Sequence, residues 1–153
     1  MTDERWTAWL AAMIDAEGYI ELQLAKDDGP RRRRHGAGPR IGITNTDLGI
    51  LLRCREILRD LGCGEIEPRS AGVNPLGKRP CYALRVCNRV AVVRLIDAVS
   101  PFLIRLKPKA VLLRQYLVLR EESLAAKYNA PYSDAEDRLI AEFRGMSSRT
   151  KGG

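Results

Sequence analysis

The sequence predicts an α+β fold of element order αββαββα: a four-stranded antiparallel sheet shaped as a saddle, with helices packed on its other face. Three observations carry this prediction. Apolar residues at helical spacing open the chain (Leu10, Met13, Ile14) and return later (Val111, Leu112, Leu119). Alternating stretches come in pairs, each pair joined by a loop rich in glycine, proline and charge. After the first helix the unit strand–loop–strand–helix occurs twice, so two hairpins share one sheet and the helices must cover one face of it.

The first helix is expected over about Asp3–Asp15. A strand follows from Gly18 to about Ala25, with Ile20, Leu22 and Leu24 on one face and Tyr19, Glu21 and Gln23 on the other. Residues 26–39, KDDGPRRRRHGAGP, read as a long exposed hairpin loop, and a second strand returns over Arg40–Thr44. Thr46 is the expected N-cap of a helix over Asp47–Leu61, ended by Gly62. The third strand is expected at Gly64–Arg69 and the fourth at Cys81–Cys87, joined through AGVNPLGKRP. Asn88 caps a helix over Arg89–Val99, which Ser100-Pro101 stops. A longer helix covers Pro108–Ala126, and Ser133-Asp-Ala-Glu136 is a capping box for a short last helix to about Arg144. Residues 1–146 form the expected single domain, and 147–153 a basic flexible tail.

At 153 residues the chain is long enough to bury a core without disulfides or metals. Its 26 Lys+Arg exceed its 19 Asp+Glu, and the resulting charge of +7 points to a polyanionic partner, nucleic acid first. The excess is densest at Arg31–Arg34, with His35 and Arg40 nearby. Cys54, Cys63, Cys81 and Cys87 lack C-x-x-C spacing, and His35 is the only histidine. That argues against a zinc site and a hydrolytic triad, and for small buried thiols in a reducing compartment. There is no G-x-G-x-x-G or phosphate-binding loop. No apolar run reaches membrane-spanning length, and the N-terminus has acids where a signal peptide has basic residues. The expected location is therefore cytoplasmic, or the genome-containing compartment of an organelle, and not secreted. No membrane and no small-molecule substrate are expected.

The stretch WLAAMIDAEGYIEL, Trp9–Leu22, poses a question. Its helix carries Asp15 and Glu17 to its C-terminal end, where the helix dipole disfavours carboxylates. Either these acids are solvated termini, or something positively charged is expected beside them. Along the same helix Ala8, Ala12 and Ala16 form a stripe of small residues that lets a second helix approach closely. The sheet face away from the helices should be polar and basic. Glu21, Gln23, Arg40, Arg69, Tyr82 and Arg85 are its candidates for reading base edges, with Arg31, Arg32, Arg33, Arg34, Lys78 and Arg79 gripping phosphate at the outer ends. Tyr82 and Arg85 cannot both face one side of a regular strand, so that pair requires a bulge.

Leu10-Ala11-Ala12-Met13-Ile14-Asp15-Ala16-Glu17-Gly18 resembles the nine-residue signature of the LAGLIDADG homing endonucleases, with Ala12 for a glycine, Met13 for a leucine and Glu17 for the second aspartate. Ile43-Thr44-Asn45-Thr46-Asp47 is similar to the family's second strand end, and Pro101–Lys109 to its lysine-bearing segment before the long helix. The resemblance covers most of the chain. It implies double-stranded DNA as partner, a long near-palindromic target hydrolysed at phosphodiester bonds, and a role in intron or intein mobility. A single motif implies the homodimeric type, with Ala8, Trp9, Ala12 and Ala16 at the interface. It further implies Mg²⁺ held by Glu17 and the Ala16 carbonyl, a site open also to Mn²⁺ or Ca²⁺. Asn45 would stand near the hydrolytic water, and Lys107 would polarise the site, with Lys109 as competing and Arg105 as weaker assignments. Asp15 reads as structural. The alternative is a non-cleaving relative: a maturase, a transcription regulator or an inactive relic.

Overall fold

Asp3 starts the first helix, its carboxylate accepting the Arg5 amide at 2.9 Å as an N-cap. In the computed structural model, which describes residues 3–23, 38–73, 76, 79–127 and 130–150, helix α1 spans Glu4–Glu17. It thus contains both acids and ends two residues beyond the expected Asp15. Gly18 N–H closes the last turn on the Ile14 carbonyl, and the chain leaves directly into strand β1, Gly18–Gln23. Position 18 must be glycine for steric reasons. A Cβ there would stand 2.7 Å from both the Gly42 and the Ile14 carbonyl oxygens, with no room to move.

Strand β2 is Gly38–Asn45, antiparallel to β1 with Ile20 opposite Ile41. Helix α2, Leu48–Asp60, is capped by Asp47 rather than the expected Thr46: the Asp47 carboxylate accepts from Gly49 N at 2.9 Å and Ile50 N at 3.4 Å. A carboxylate at the helix N-terminus also complements the dipole, which a hydroxyl does not. Gly62, at φ +79°, turns the chain out of α2 as expected.

The third strand corrects the sequence reading. Strand β3 is Arg69–Val73, not Gly64–Arg69. Residues 63–68 are kept out of the ladder by Gly64 at φ +94°, by Pro68, and by ion pairs that turn Glu65 and Glu67 towards Arg59 and Arg55 of α2. The ladder instead runs through the Ala71-Gly72 stretch expected to be loop, with a register shift between Ser70 and Val73 and Gly72 at φ +96°. Strand β4, Pro80–Val86, lies between β2 and β3, giving the order β1-β2-β4-β3.

Asn88 caps helix α3, Arg89–Val99, through its side chain on Ala91 N at 3.1 Å. A single 3-10 turn, Ser100–Phe102, leads to helix α4, Lys107–Ala126. Helix α5, Asp134–Thr150, extends beyond the expected Arg144 into the stretch expected to be a loose tail. The capping box forms: Glu136 N donates to Ser133 Oγ at 3.2 Å.

All helices in contact with the sheet lie on one side of it. Leu10 and Ile14 (α1), Leu51 and Leu58 (α2), Leu95 and Ile96 (α3) and Leu113 and Leu117 (α4) pack on Ile20, Ile41, Ile43, Leu84 and Val86. Each such side chain contributes about 1.5–3 kcal/mol by leaving water. Between α4 and α5 lies a feature with no sequence signal, a buried ion pair. Arg120, 2% exposed, donates to Glu136 (0% exposed) at 3.1 Å and to the Ala130 carbonyl at 2.8 Å, and stacks 4.7 Å over the Tyr132 ring.

Candidate nucleic-acid interface

Because Ile20, Ile41, Ile43, Leu84 and Val86 face the helices, strand alternation turns Tyr19, Glu21, Gln23, Arg40, Gly42 and Arg85 to the open side. Glu21, Gln23, Arg69 and Arg85 are exposed there. Arg40 is half-buried and donates to Gln23 Oε1 at 2.9 Å, while its Nε has no partner among the described residues. Arg40, Arg69 and Arg85 line one concavity of about 400 Å³, with Glu65 and Glu67 at its edge. Three guanidiniums converging on a hollow present a field suited to phosphate and to the acceptor edge of guanine.

Tyr82 does not join them. It packs against the core, with the same parity as the inward Leu84 and Val86, so the alternation question resolves in favour of Arg85. The irregularity that would have allowed both lies in β3 instead. Arg79 is exposed just before β4. Arg31, Arg32, Arg33, Arg34 and Lys78 lie outside the described residues.

Sequence reasoning missed one element of this face. The Tyr19 ring lies across Gly42, its register partner, and fills the space a side chain at 42 would occupy. The available signal was a glycine in the middle of an otherwise β-branched strand, Ile41-Gly42-Ile43, which marks a close approach.

At one end of the sheet the acids of α1 part company. Asp15 points across the fold to the segment before α4: its two carboxylate oxygens accept from Ile104 N at 2.6 Å and Leu106 N at 2.9 Å. Its carbonyl accepts two bonds from the Arg105 guanidinium, at 2.9 and 2.7 Å. Asp15 is thus committed to structure. Glu17 is exposed with no described partner, beside the exposed Ala16. The last carbonyls of a helix lack intrahelical donors, so Glu17 and the Ala16 carbonyl form an all-oxygen donor set. Among the described residues no cluster of three His, Cys, Asp or Glu side chains occurs. A hard cation held here would need oxygens from elsewhere, such as a second copy, water or phosphate.

The two candidate lysines separate. Lys107 is exposed at the start of α4 and lines a hollow with Asp97, Ser100, Val111 and Arg114 between α3 and α4. Lys109 is half-buried. Burial first, and the Arg105 guanidinium second, hold its ammonium below the ordinary value, while Glu21 of the open sheet opposes them. Lys109 therefore shares a corner with Arg105 and β1. Asn45 closes a turn, its Oδ1 accepting from Asp47 N at 2.8 Å. On α1, Ala8 and Trp9 are half-buried and Ala12 and Ala16 exposed; Trp9 meets Trp6 edge to face at 5.7 Å.

No protein-family model and no curated protein matches the sequence. Solved structures do. An archaeal intron-encoded homing endonuclease, I-Vdi141I in complex with DNA, aligns to 94% of this chain and 85% of its own at 19% identity, with a TM-score of 0.64. The homing endonuclease I-CvuI, bound to its target in the presence of calcium, aligns to 82% of this chain and 80% of its own at 23% identity and a TM-score of 0.58. The chain has the LAGLIDADG homing-endonuclease fold. Within that fold, Leu10–Gly18 forms the second half of α1 and its exit into β1. The meganuclease I-SmaMI, bound to uncleavable DNA, is a longer chain: 93% of this chain aligns to 43% of it, at 12% identity and a TM-score of 0.59. The matched LAGLIDADG structures thus include chains of about this length and chains more than twice as long.

Proposed function

We propose that this chain is a site-specific double-stranded DNA endonuclease that acts as a homodimer on a long, near-palindromic target. One observation carries the reading: an exposed carboxylate with no partner among the described residues, Glu17, stands where the alanine-striped helix α1 meets a sheet whose open face bears Arg40, Arg69 and Arg85. Stacking two copies of α1 along Ala8, Ala12 and Ala16 brings their two Glu17 carboxylates together beneath two sheets. The pair would repel until a cation and DNA phosphate joined it. Glu17 and the Ala16 carbonyl would hold a divalent ion, Mg²⁺ by preference, which when bound supplies charge neutralisation and an activated water.

The chain's own groups do the rest. Arg40, Gln23 and Arg85 orient the duplex by base-edge contacts, and the basic loops hold its phosphates. Lys109, which shares this corner with Arg105 and Glu21, is better placed than Lys107 to act on the scissile phosphate. A cytoplasmic or organellar location, wherever the target genome lies, follows from this activity. The second reading, DNA binding without cleavage, needs only the basic open face of the sheet with Arg40, Arg69 and Arg85.

Selection of cut sites from a randomised duplex library with Mg²⁺, run beside Glu17→Gln, decides between them. Enriched sites that vanish in the variant, while binding persists, are expected. Binding without cutting by the wild type would establish the second reading, and a monomer on DNA by sedimentation would remove the shared-helix geometry.

A further inference from the structure

The sequence posed a question about α1: which positive charge answers two acids at a helix C-terminus? The structure contains one before any metal is considered. Arg105 places its Nε and one Nη on the Asp15 carbonyl, at 2.9 and 2.7 Å, across ninety residues of sequence. A guanidinium fork usually meets a carboxylate, and the pair is then electrically neutral. Here it meets a carbonyl dipole. Among the described residues Arg105 forms no ion pair, and its guanidinium sits on the carbonyl two residues before Glu17. The carboxylate of Asp15 itself is turned to the Ile104 and Leu106 amides, and that of Glu21 acts in the same corner, at Lys109. The reach of the Arg105 charge is evident at Lys109, whose ammonium it disfavours.

We propose that Arg105 is a positioning residue that supplies a fixed positive charge to the metal-binding end of α1 and thereby sets its affinity for divalent cations. This rests on Glu17 being a metal ligand, as proposed above. A fixed cation satisfies the helix dipole and repels a second cation, so Glu17 of the free protein binds divalent ions weakly. Phosphate oxygens restore the negative charge when DNA arrives. Metal loading is thereby coupled to the duplex, and a nuclease built this way is idle until it is seated on DNA. By Coulomb's law, losing a unit charge this close to a doubly charged ion in water-like surroundings tightens binding roughly fivefold at low salt.

The test is a Mn²⁺ titration of the full-length protein without DNA, read by paramagnetic broadening of the amide signals around Gly18. Wild type, Arg105→Lys and Arg105→Met are compared, with circular dichroism to establish folding. The methionine variant is expected to reach its midpoint at roughly fivefold lower Mn²⁺, and the lysine variant to stay within twofold of wild type because it keeps the charge. A merely structural role for Arg105 would loosen the site and shift both variants alike, to higher Mn²⁺. An unchanged or raised midpoint in the methionine variant overturns the proposal, as does the absence of any Mn²⁺ effect in all three proteins. Should the methionine variant not fold, Arg105→Gln keeps a donor on the Asp15 carbonyl without the charge and carries the same comparison. Cleavage is scored separately: a wild type that never cuts removes the nuclease reading, while the Mn²⁺ midpoints still decide this one.

Discussion

The Tyr19 ring covers Gly42 so closely that a Cβ at position 42 would stand 2.3 Å from it. This contact and the one at Gly18 look alike in sequence but differ in what can yield. At position 42 the obstacle is the far end of a side chain, and Gly42→Ala is expected to lose about 1 kcal/mol as the ring swings off the sheet. At position 18 the obstacles are backbone atoms, and Gly18→Ala is expected to lose about 3 kcal/mol. Thermal unfolding with a double-mutant cycle checks both: in a Tyr19→Ala background the Gly42 cost should disappear and the Gly18 cost should persist. Equal penalties in both backgrounds would contradict the ring contact.

Arg120 and Glu136 join α4 to α5 out of reach of water. Arg120→Met leaves the Glu136 carboxylate buried without its cation and is expected to lose about 3–5 kcal/mol. Adding Glu136→Gln should return a large part of that, because the amide needs no counter-charge. Denaturant unfolding of the two variants measures it, and a double variant no more stable than Arg120→Met would show that packing over Tyr132, not charge, dominates.

Arg85 and Arg40 both face the open side, but only Arg40 is braced, by Gln23. Under the proposed function, Arg85→Ala should weaken binding to the selected duplex by about 1–3 kcal/mol and relax preference at one base position per half-site. Tyr82→Ala should instead lower stability and leave base preference intact. Binding titrations against single-base variants of the target separate the two.

The four thiols should divide by burial. Burial pushes the Cys54 thiol up to about 12 and also raises that of Cys63. Cys87 is exposed and Cys81 half-buried. At pH 8 a thiol reagent should therefore modify two cysteines in the native protein and four in denaturant. Because the folded pKa lies above the ordinary 9.0, the folded state holds more protons in that window. Stability from this source is complete below pH 9 and is lost as pH rises through the window towards 12. A flat stability profile above pH 9 would contradict this.

Much of the architecture was legible because periodicity reports which side of an element is wet. Helix α1, the first hairpin, strand β4, and the caps at Asn88 and Ser133 all follow from local spacing and side-chain reach. The misplaced third strand has a physical cause. Residues 64–69 stand where a strand was expected, but ion pairs from Glu67 to Arg55 and from Glu65 to Arg59, twelve and six positions away, hold that segment elsewhere. Alternation alone could not choose between Tyr82 and Arg85, since which parity faces the core depends on packing.

For Glu17 and the alanine stripe, the sequence alone sufficed to single out the residues and their types, because a helix period and a motif are local properties. What only the tertiary structure decided was how the neighbouring charges are spent. Asp15 is consumed by two amides some ninety residues away, Arg105 brings to that helix end the positive charge its acids called for, and Lys109 rather than Lys107 shares the corner. Those relationships join the end of α1 to the start of α4, and no local rule acts between segments that meet only when the core between them has closed.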